Sequence, residues 1–251
     1  MCLPVALITG ASRGIGAAAA RRFAAAGYDL LLLARSADAL EALAEELRHG
    51  SGDPRPAGDP SPAVRRIETL ALDLADPAAI APGLAELLGR GLTPQTVINN
   101  AGAAYTGSLA EMPVERWQWL FQLNVTSVFQ VSQAVLPALR AAGGGHLINV
   151  SSHAARQAFP DWGAYCASKA ALASLSRCLA EEERPHGIRV STLTLGAVNT
   201  PLWDSETVHS SFDRRAMLDP ERAAEALLLL AQQPASQVVE DLTLMPAAGA
   251  L

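Results

Sequence analysis

The sequence predicts one α/β domain, a doubly wound sheet of seven parallel strands with helices packed on both faces. Three observations carry this prediction. Seven short apolar runs recur along the 251 residues, segments rich in Ala, Leu and Glu separate them, and the first run leads straight into a glycine-rich turn that opens a helix. Strands that are apolar on both faces are what a parallel sheet covered on both sides requires, and their alternation with helices builds βαβ units.

Taken in order, strands are expected over residues 5–9, 30–34, 67–72, 96–99, 146–150, 189–193 and 239–245. Helices are expected between them, over 16–26, 37–48, 77–88, 113–140, 162–183 and 220–232, because Ala, Leu and Glu lose little rotamer freedom in a helix. The stretch 50–62 holds four prolines and three glycines, which sustain neither helix nor central strand. It is expected as an exposed loop inserted between a helix and the third strand. Half of all residues are apolar, enough for a single core, so residues 1–251 are taken as one domain.

A net charge of -6, with Lys and Arg dispersed, leaves no broad basic surface for phosphodiester backbones, so nucleic acid is not an expected partner. Cys2, Cys166 and Cys178 are odd in number and lack ligand spacing. They point to a reducing compartment and apolar packing, with neither disulfides nor a metal site. The first ten residues run into a strand without a basic stretch followed by a cleavable apolar segment, and no apolar run approaches the roughly 18 residues that span a bilayer. A cytoplasmic protein with no membrane partner is expected.

Thr9-Gly10-Ala11-Ser12-Arg13-Gly14-Ile15-Gly16 follows the first strand and opens a helix, the context of a dinucleotide-binding turn. Its three glycines permit positive φ and close backbone approach, and the helix N-terminus offers N–H groups and partial positive charge to a pyrophosphate. Near the end of the second strand an acidic side chain would accept hydrogen bonds from the ribose 2′-hydroxyl of NAD. Ala34 and Arg35 stand there instead. Arg35 can offer a planar fork of donors to a 2′-phosphate and Arg13 a second cation, so NADP(H) is expected over NAD(H). Asp73 closes the third strand and Asn99-Asn100-Ala101-Gly102 the fourth, at the carboxyl edge where nucleotides bind in Rossmann-type sheets, although both also suit ordinary turns.

The fifth strand runs into Asn149-Val150-Ser151-Ser152, and Tyr165-Cys166-Ala167-Ser168-Lys169 follows on an expected helix. Residues four apart share a helical face, which brings the Lys169 ammonium close to the Tyr165 phenol. A cation about 4 Å away contributes roughly 4 kcal/mol at an effective dielectric of 20, so a lowering of the phenol pKa by about two to three units is affordable. Tyr165 can then give a proton to a carbonyl oxygen as hydride arrives, or remove it from an alcohol in reverse, while Ser152 holds the same oxygen. Asn124, in the long helical segment after the fourth strand, is expected to connect Lys169 to solvent through a polar chain. Singly, each of these residues also has an ordinary packing or turn role.

On these motifs the chain, from Val5 to about Thr200, resembles the short-chain dehydrogenase/reductase family. The resemblance implies the catalytic set Asn124, Ser152, Tyr165 and Lys169. It implies a cofactor-binding set of Gly10, Ser12, Arg13, Gly14, Ile15, Gly16, Arg35, Asp73, Leu74, Asn99, Ala101, Gly102, Tyr165, Lys169, Val198 and Thr200. Asp73 would contact adenine, Asn99 the adenosine side, and Lys169 the nicotinamide ribose. It further implies a homodimer built on the helices 113–140 and 162–183, or a homotetramer. The chain departs from the family at Leu195-Gly196, where Pro-Gly is usual, and at Leu242-Thr243-Leu244-Met245-Pro246, which lacks the common Asp-Gly-Gly.

Residues 196–219 would close over a small-molecule substrate, and Trp203, His209 and Phe212 suit a mobile lid. His153, Phe159 and Trp162 flank the catalytic Ser and Tyr and, with Trp203, are the expected substrate contacts. Aromatic walls suit a partly apolar carbonyl compound, and equally the packing of a lid on a core. The expected activity is NADP(H)-dependent hydride transfer between the nicotinamide and a carbonyl or secondary alcohol. An NAD-linked alcohol dehydrogenase is the alternative among enzymes, against which Arg35 argues. A catalytically silent NADP-binding regulator is the alternative outside them, against which the intact acid/base set argues.

Overall fold

The structure is a computed structural model that describes residues 3–49 and 66–250, so the expected loop at 50–62 lies outside the described residues. Strands β1 (Val5–Thr9), β2 (Asp29–Ala34), β3 (Ile67–Ala71), β4 (Thr96–Asn99), β5 (Gly145–Ser152), β6 (Ile188–Leu195) and β7 (Asp241–Leu244) form one sheet in the order β3-β2-β1-β4-β5-β6-β7. Every pairing is parallel. The helices are α1 (Gly14–Ala25), α2 (Ala37–His49), α3 (Pro77–Gly89), α4 (Val114–Phe121), α5 (Ser127–Ala141), α6 (Gly163–Glu183) and α7 (Pro220–Ala231).

Strand β2 explains the two layers. In Asp29–Ala34 every residue after the first is buried. Leu30 and Leu32 enter a core with Phe23, Leu40 and Leu227 from α1, α2 and α7, while Leu31 and Leu33 enter a second core with Leu84, Leu87, Val131 and Leu139 from α3 and α5. Alternation within one apolar run thus feeds both faces, each buried leucine contributing about 1.5–3 kcal/mol. The chain goes outward from β1 through β2 to β3, then returns to the other side of β1 with β4. That reversal opens a crevice above the carboxyl ends of β1 and β4.

Three elements differ most from expectation. Strands β5 and β6 continue to Ser152 and Leu195, because the ladder carries on through the Ser151–Thr194 and Ser152–Leu195 pairs despite the polar composition. Main-chain pairing outweighs side-chain type there. The helix expected over 113–140 is interrupted between α4 and α5 by a π-helical turn, Gln122–Thr126. The wider turn coincides with Asn124, which is fully buried and engages the backbone of residue 103.

Candidate functional site

A cavity of about 1020 Å³ opens over the carboxyl ends of the central strands. At one end the backbone turns through Gly10 and Gly14, at φ +66° and +55°. A Cβ at Gly10 would lie 2.9 Å from Cα of Ala101, and one at Gly16 would lie 2.1 Å from the Gly10 carbonyl oxygen. The first glycine lets the turn meet the end of β4, and the second lets α1 seat on the turn. Asn100 ties the two together: its Nδ2 donates to the carbonyls of Thr9 (3.0 Å) and Gly10 (3.3 Å). Thr9 Oγ1 accepts from the backbone N–H groups of Asn100 and Ala101, both at 3.0 Å.

The N-cap of α1 is Arg13, whose side chain makes no capping bond, and the first turn holds no acidic residue. Its N–H groups therefore present partial positive charge to the cavity. Arg13 and Arg35 both line this end, and neither has a side-chain partner among the described residues. By contrast Arg21, Arg48 and Arg90 are each paired with a glutamate. Ser12, Gly14, Ile15, Asp73, Leu74, Ala101, Gly102, Val198 and Thr200 also border the cavity. Asp73 Oδ1 accepts from the Ala75 N–H at 2.9 Å.

At the other end, Ser152 closes β5 and its Oγ accepts from the Ala154 N–H at 3.2 Å. Tyr165 and Lys169 stand one turn apart on α6, where Ser152 hydrogen-bonds the phenol. Lys169, the only lysine in the sequence, is 6% exposed. Its Nζ donates to the Val150 carbonyl at 3.0 Å and lies 5.8 Å from the centre of the Tyr165 ring. Burial pushes Tyr165 up to about 12, against the lowering effect of the Ser152 hydrogen bond. Burial also brings Lys169 down to about 8.

Three expectations are corrected by this geometry and a fourth, the polar chain from Asn124, is narrowed. The phenol pKa is raised instead of lowered, because desolvation of the hydroxyl outweighs any stabilisation of the phenolate. Asn124 makes no hydrogen bond to Lys169. Its Oδ1 accepts from Ala103 N (2.9 Å), while its Nδ2 donates to Ala103 O (2.9 Å) and Ser168 Oγ (3.0 Å). Since Ser168 Oγ donates in turn to the Tyr165 carbonyl at 2.8 Å, Asn124 braces α6 beneath the site. Asn99 points into the sheet, 2% exposed, and its Nδ2 donates to Asn149 Oδ1 at 2.8 Å, so it does not border the cavity. Gly16 is likewise buried behind the turn.

His153, Phe159, Trp162 and Trp203 all border the Tyr165 end. Trp162 packs edge-on to Tyr165 at 5.5 Å between ring centres, and Trp162, Trp203 and Phe212 are mutually in contact at 5.7–6.5 Å. The segment expected as a mobile lid is fastened at several points. Trp203 Nε1 donates to the Val198 carbonyl (2.8 Å), Thr207 Oγ1 to that of Ala104 (2.8 Å), and the His209 N–H to Thr106 Oγ1 (2.7 Å). Arg214 bonds Asn199 Oδ1 (2.7 Å) and Asp204 Oδ1 (2.9 Å). The backbone amide of Thr106 also donates to the Thr207 carbonyl at 2.9 Å.

Sequence reasoning missed Asn100, Trp119, Leu123, Glu206, Met245 and Ala250, which also line the cavity. Asn100 was recoverable from strand alternation, since a β4 that turns Asn99 inward directs its neighbour elsewhere. Leu123 adjoins Asn124, Glu206 lies within 196–219 and Met245 within 242–246, but no motif marks these side chains as lining.

Among the described residues no helix is long and apolar enough to cross a membrane, and no group of three or more His, Cys, Asp or Glu could hold a metal ion. The family model for short chain dehydrogenases matches residues 4–210. An uncharacterized oxidoreductase of Mycobacterium tuberculosis is 36% identical over 223 residues, 88% of this chain and 61% of that protein. An alcohol dehydrogenase of Thermococcus sibiricus, solved with 5-hydroxy-NADP, superposes with a TM-score of 0.84 at 30% identity, covering 99% of this chain and 98% of that one. L-sorbose reductase of Gluconobacter frateurii, solved with NADPH and L-sorbose, does so at 0.83 and 26%, covering 98% and 96%.

Proposed function

Because the chain belongs to the short-chain dehydrogenase family, we propose that it is an oxidoreductase that uses NADP(H) to interconvert a carbonyl compound and its secondary alcohol, with Tyr165 as the acid/base. One observation carries this reading. The cavity that Arg13 and Arg35 line at one end is bordered at the other by Tyr165, Ser152 and Lys169.

The residues present fit the cofactor. Two positive-φ glycines and the uncapped first turn of α1 suit a pyrophosphate, and two unpartnered guanidinium groups suit a 2′-phosphate. The NADP complexes of several structural relatives support the same cofactor. NADP(H), when bound, supplies or accepts the hydride. Every other step belongs to the chain. Lys169, held against the Val150 carbonyl, would hold the nicotinamide ribose and keeps a positive charge beside the phenol ring. Ser152 fixes the substrate oxygen. Tyr165, raised to about 12, holds its proton at neutral pH and donates it to that oxygen as negative charge develops there.

A screen of NADPH oxidation across ketones, aldehydes and diketones tests the proposal. Turnover with at least one carbonyl that disappears in Tyr165→Phe supports it. NADPH binding without turnover on any of them would instead favour a regulatory protein.

A further inference from the structure

The Tyr165 end of the cavity carries a broad ring surface beside polar groups that include Ser152, His153, Ser205 and Thr207. Three of the four tryptophans line the cavity, and two of them, Trp162 and Trp203, join Phe212 in a contiguous aromatic surface whose edge touches Tyr165. Leu202 and Met245 also line the cavity. The indole of Trp203 is held by its bond to the Val198 carbonyl at 2.8 Å. Apart from Lys169 below the phenol, the only Asp, Glu, Lys or Arg among the described residues of this end is Glu206.

We infer that the substrate is an uncharged ketone carrying an aromatic ring next to the carbonyl, seated against Trp162, Trp203 and Phe212. This deepens the reductase reading and rests on it. Hydroxyls of a polyhydroxy ketone laid against Trp162, Trp203 and Phe212 would find no strong acceptor in the rings, which costs their hydration without return. An anionic ketone would meet Glu206 and no cation free to pair with it, since Arg13 and Arg35 lie at the far end. A flat ring gains both area and edge-to-face contact.

The test uses acetophenone, 4-acetylbenzoate and a ketohexose as probes, with the full chain and NADPH. The expected order of kcat/KM places acetophenone at least about tenfold above the other two. Trp162→Leu and Phe212→Leu should each cut the acetophenone-to-ketohexose ratio by roughly five- to tenfold while the NADPH dissociation constant stays within about twofold. If the rings serve only to pack the lid, both substrates fall together and the ratio holds, which overturns the inference. Faster reduction of 4-acetylbenzoate or the ketohexose also overturns it and leaves the reductase reading standing. Binding of acetophenone, read by calorimetry on NADP+-loaded Tyr165→Phe, separates the two readings further. Binding in that variant without wild-type turnover of any carbonyl sinks only the reductase reading, whereas neither binding nor turnover of acetophenone, with another carbonyl reduced, overturns only the inference.

Discussion

Lys169 and Tyr165 face the same cavity from successive turns of α6, yet the ammonium is bonded to the Val150 carbonyl and stands 5.8 Å from the centre of the phenol ring. Its hydrogen bond thus anchors the helix to β5 and leaves the ammonium beside the ring, not bonded to the hydroxyl. With burial holding the phenol protonated, the pair is set for proton delivery at neutral pH, and the first prediction follows from that.

Tyr165→Phe should lower carbonyl reduction by about 10² to 10⁴ while leaving NADPH affinity nearly unchanged. The ring and its edge contact with Trp162 persist, and only the donor is lost. Steady-state rates alongside a fluorescence titration check this, and more than about a tenth of wild-type turnover in the variant rules out Tyr165 as the proton donor.

The rate should fall as pH rises through about 8. Lys169 is depressed by burial, so its cation is complete below that value and lost above it, whereas Tyr165 keeps its proton until about 12. Each pH unit beyond 8 removes about nine-tenths of the charged form. Lys169→Arg, cationic throughout, should retain a flat profile to pH 10 even if its absolute rate is low. A wild-type profile that stays flat to pH 10 contradicts the assignment.

Arg35→Asp should reverse cofactor preference. Arg35 has no side-chain partner among the described residues, so its donors suit a 2′-phosphate, and a charge-assisted hydrogen bond is worth about 1.5–3 kcal/mol, or roughly ten- to a hundredfold in affinity. Dissociation constants for NADPH and NADH decide the point. An unchanged ratio would assign the selectivity elsewhere.

Acid sensitivity should begin near pH 6.5. His146 is buried in β5, its Nε2 2.7 Å from Ser191 Oγ, and Ser191 Oγ donates to the Val239 carbonyl at 2.6 Å. The imidazole therefore donates through Nε2 and leaves Nδ1 bare inside the core. Desolvation, aided by Arg189, lowers it to about 3. The unfolded chain takes up that proton near 6.5 and the native one does not. The stabilisation is thus whole above 6.5 and declines by about 1.4 kcal/mol per pH unit toward 3. Urea denaturation at pH 5 to 6.5 should show this slope in the wild type and a weaker one in His146→Gln. Equal slopes would refute the role of His146.

Much of this was legible because the motifs are local. The glycine turn, the Tyr165–Lys169 spacing and the apolar strands each depend on residues within a few positions of one another, and the structure brings them to the same crevice. What escaped depends on partners distant in the chain. Asn99 turns inward because β4 and β5 register it against Asn149, a pairing separated by 50 residues. The π-helical turn at Gln122–Thr126 leaves no mark in composition, since it exists to seat Asn124 on the backbone of Ala103. The sign of the Tyr165 shift was misjudged for a related reason, because sequence spacing reports the nearby cation but not how much water the fold removes.

The solitary lysine has a practical consequence. All remaining formal positive charge of the side chains is carried by guanidinium and imidazole groups, so amine-directed acylating reagents have a single side-chain target, and that target lies behind the aromatic wall. The extent of acylation at Lys169, read by mass spectrometry of the peptide that contains it, therefore reports how often the interior of the site becomes accessible. A slow reaction that accelerates when the Thr207–Ala104 fastening is removed would measure the opening of the segment over the cavity without any substrate or turnover.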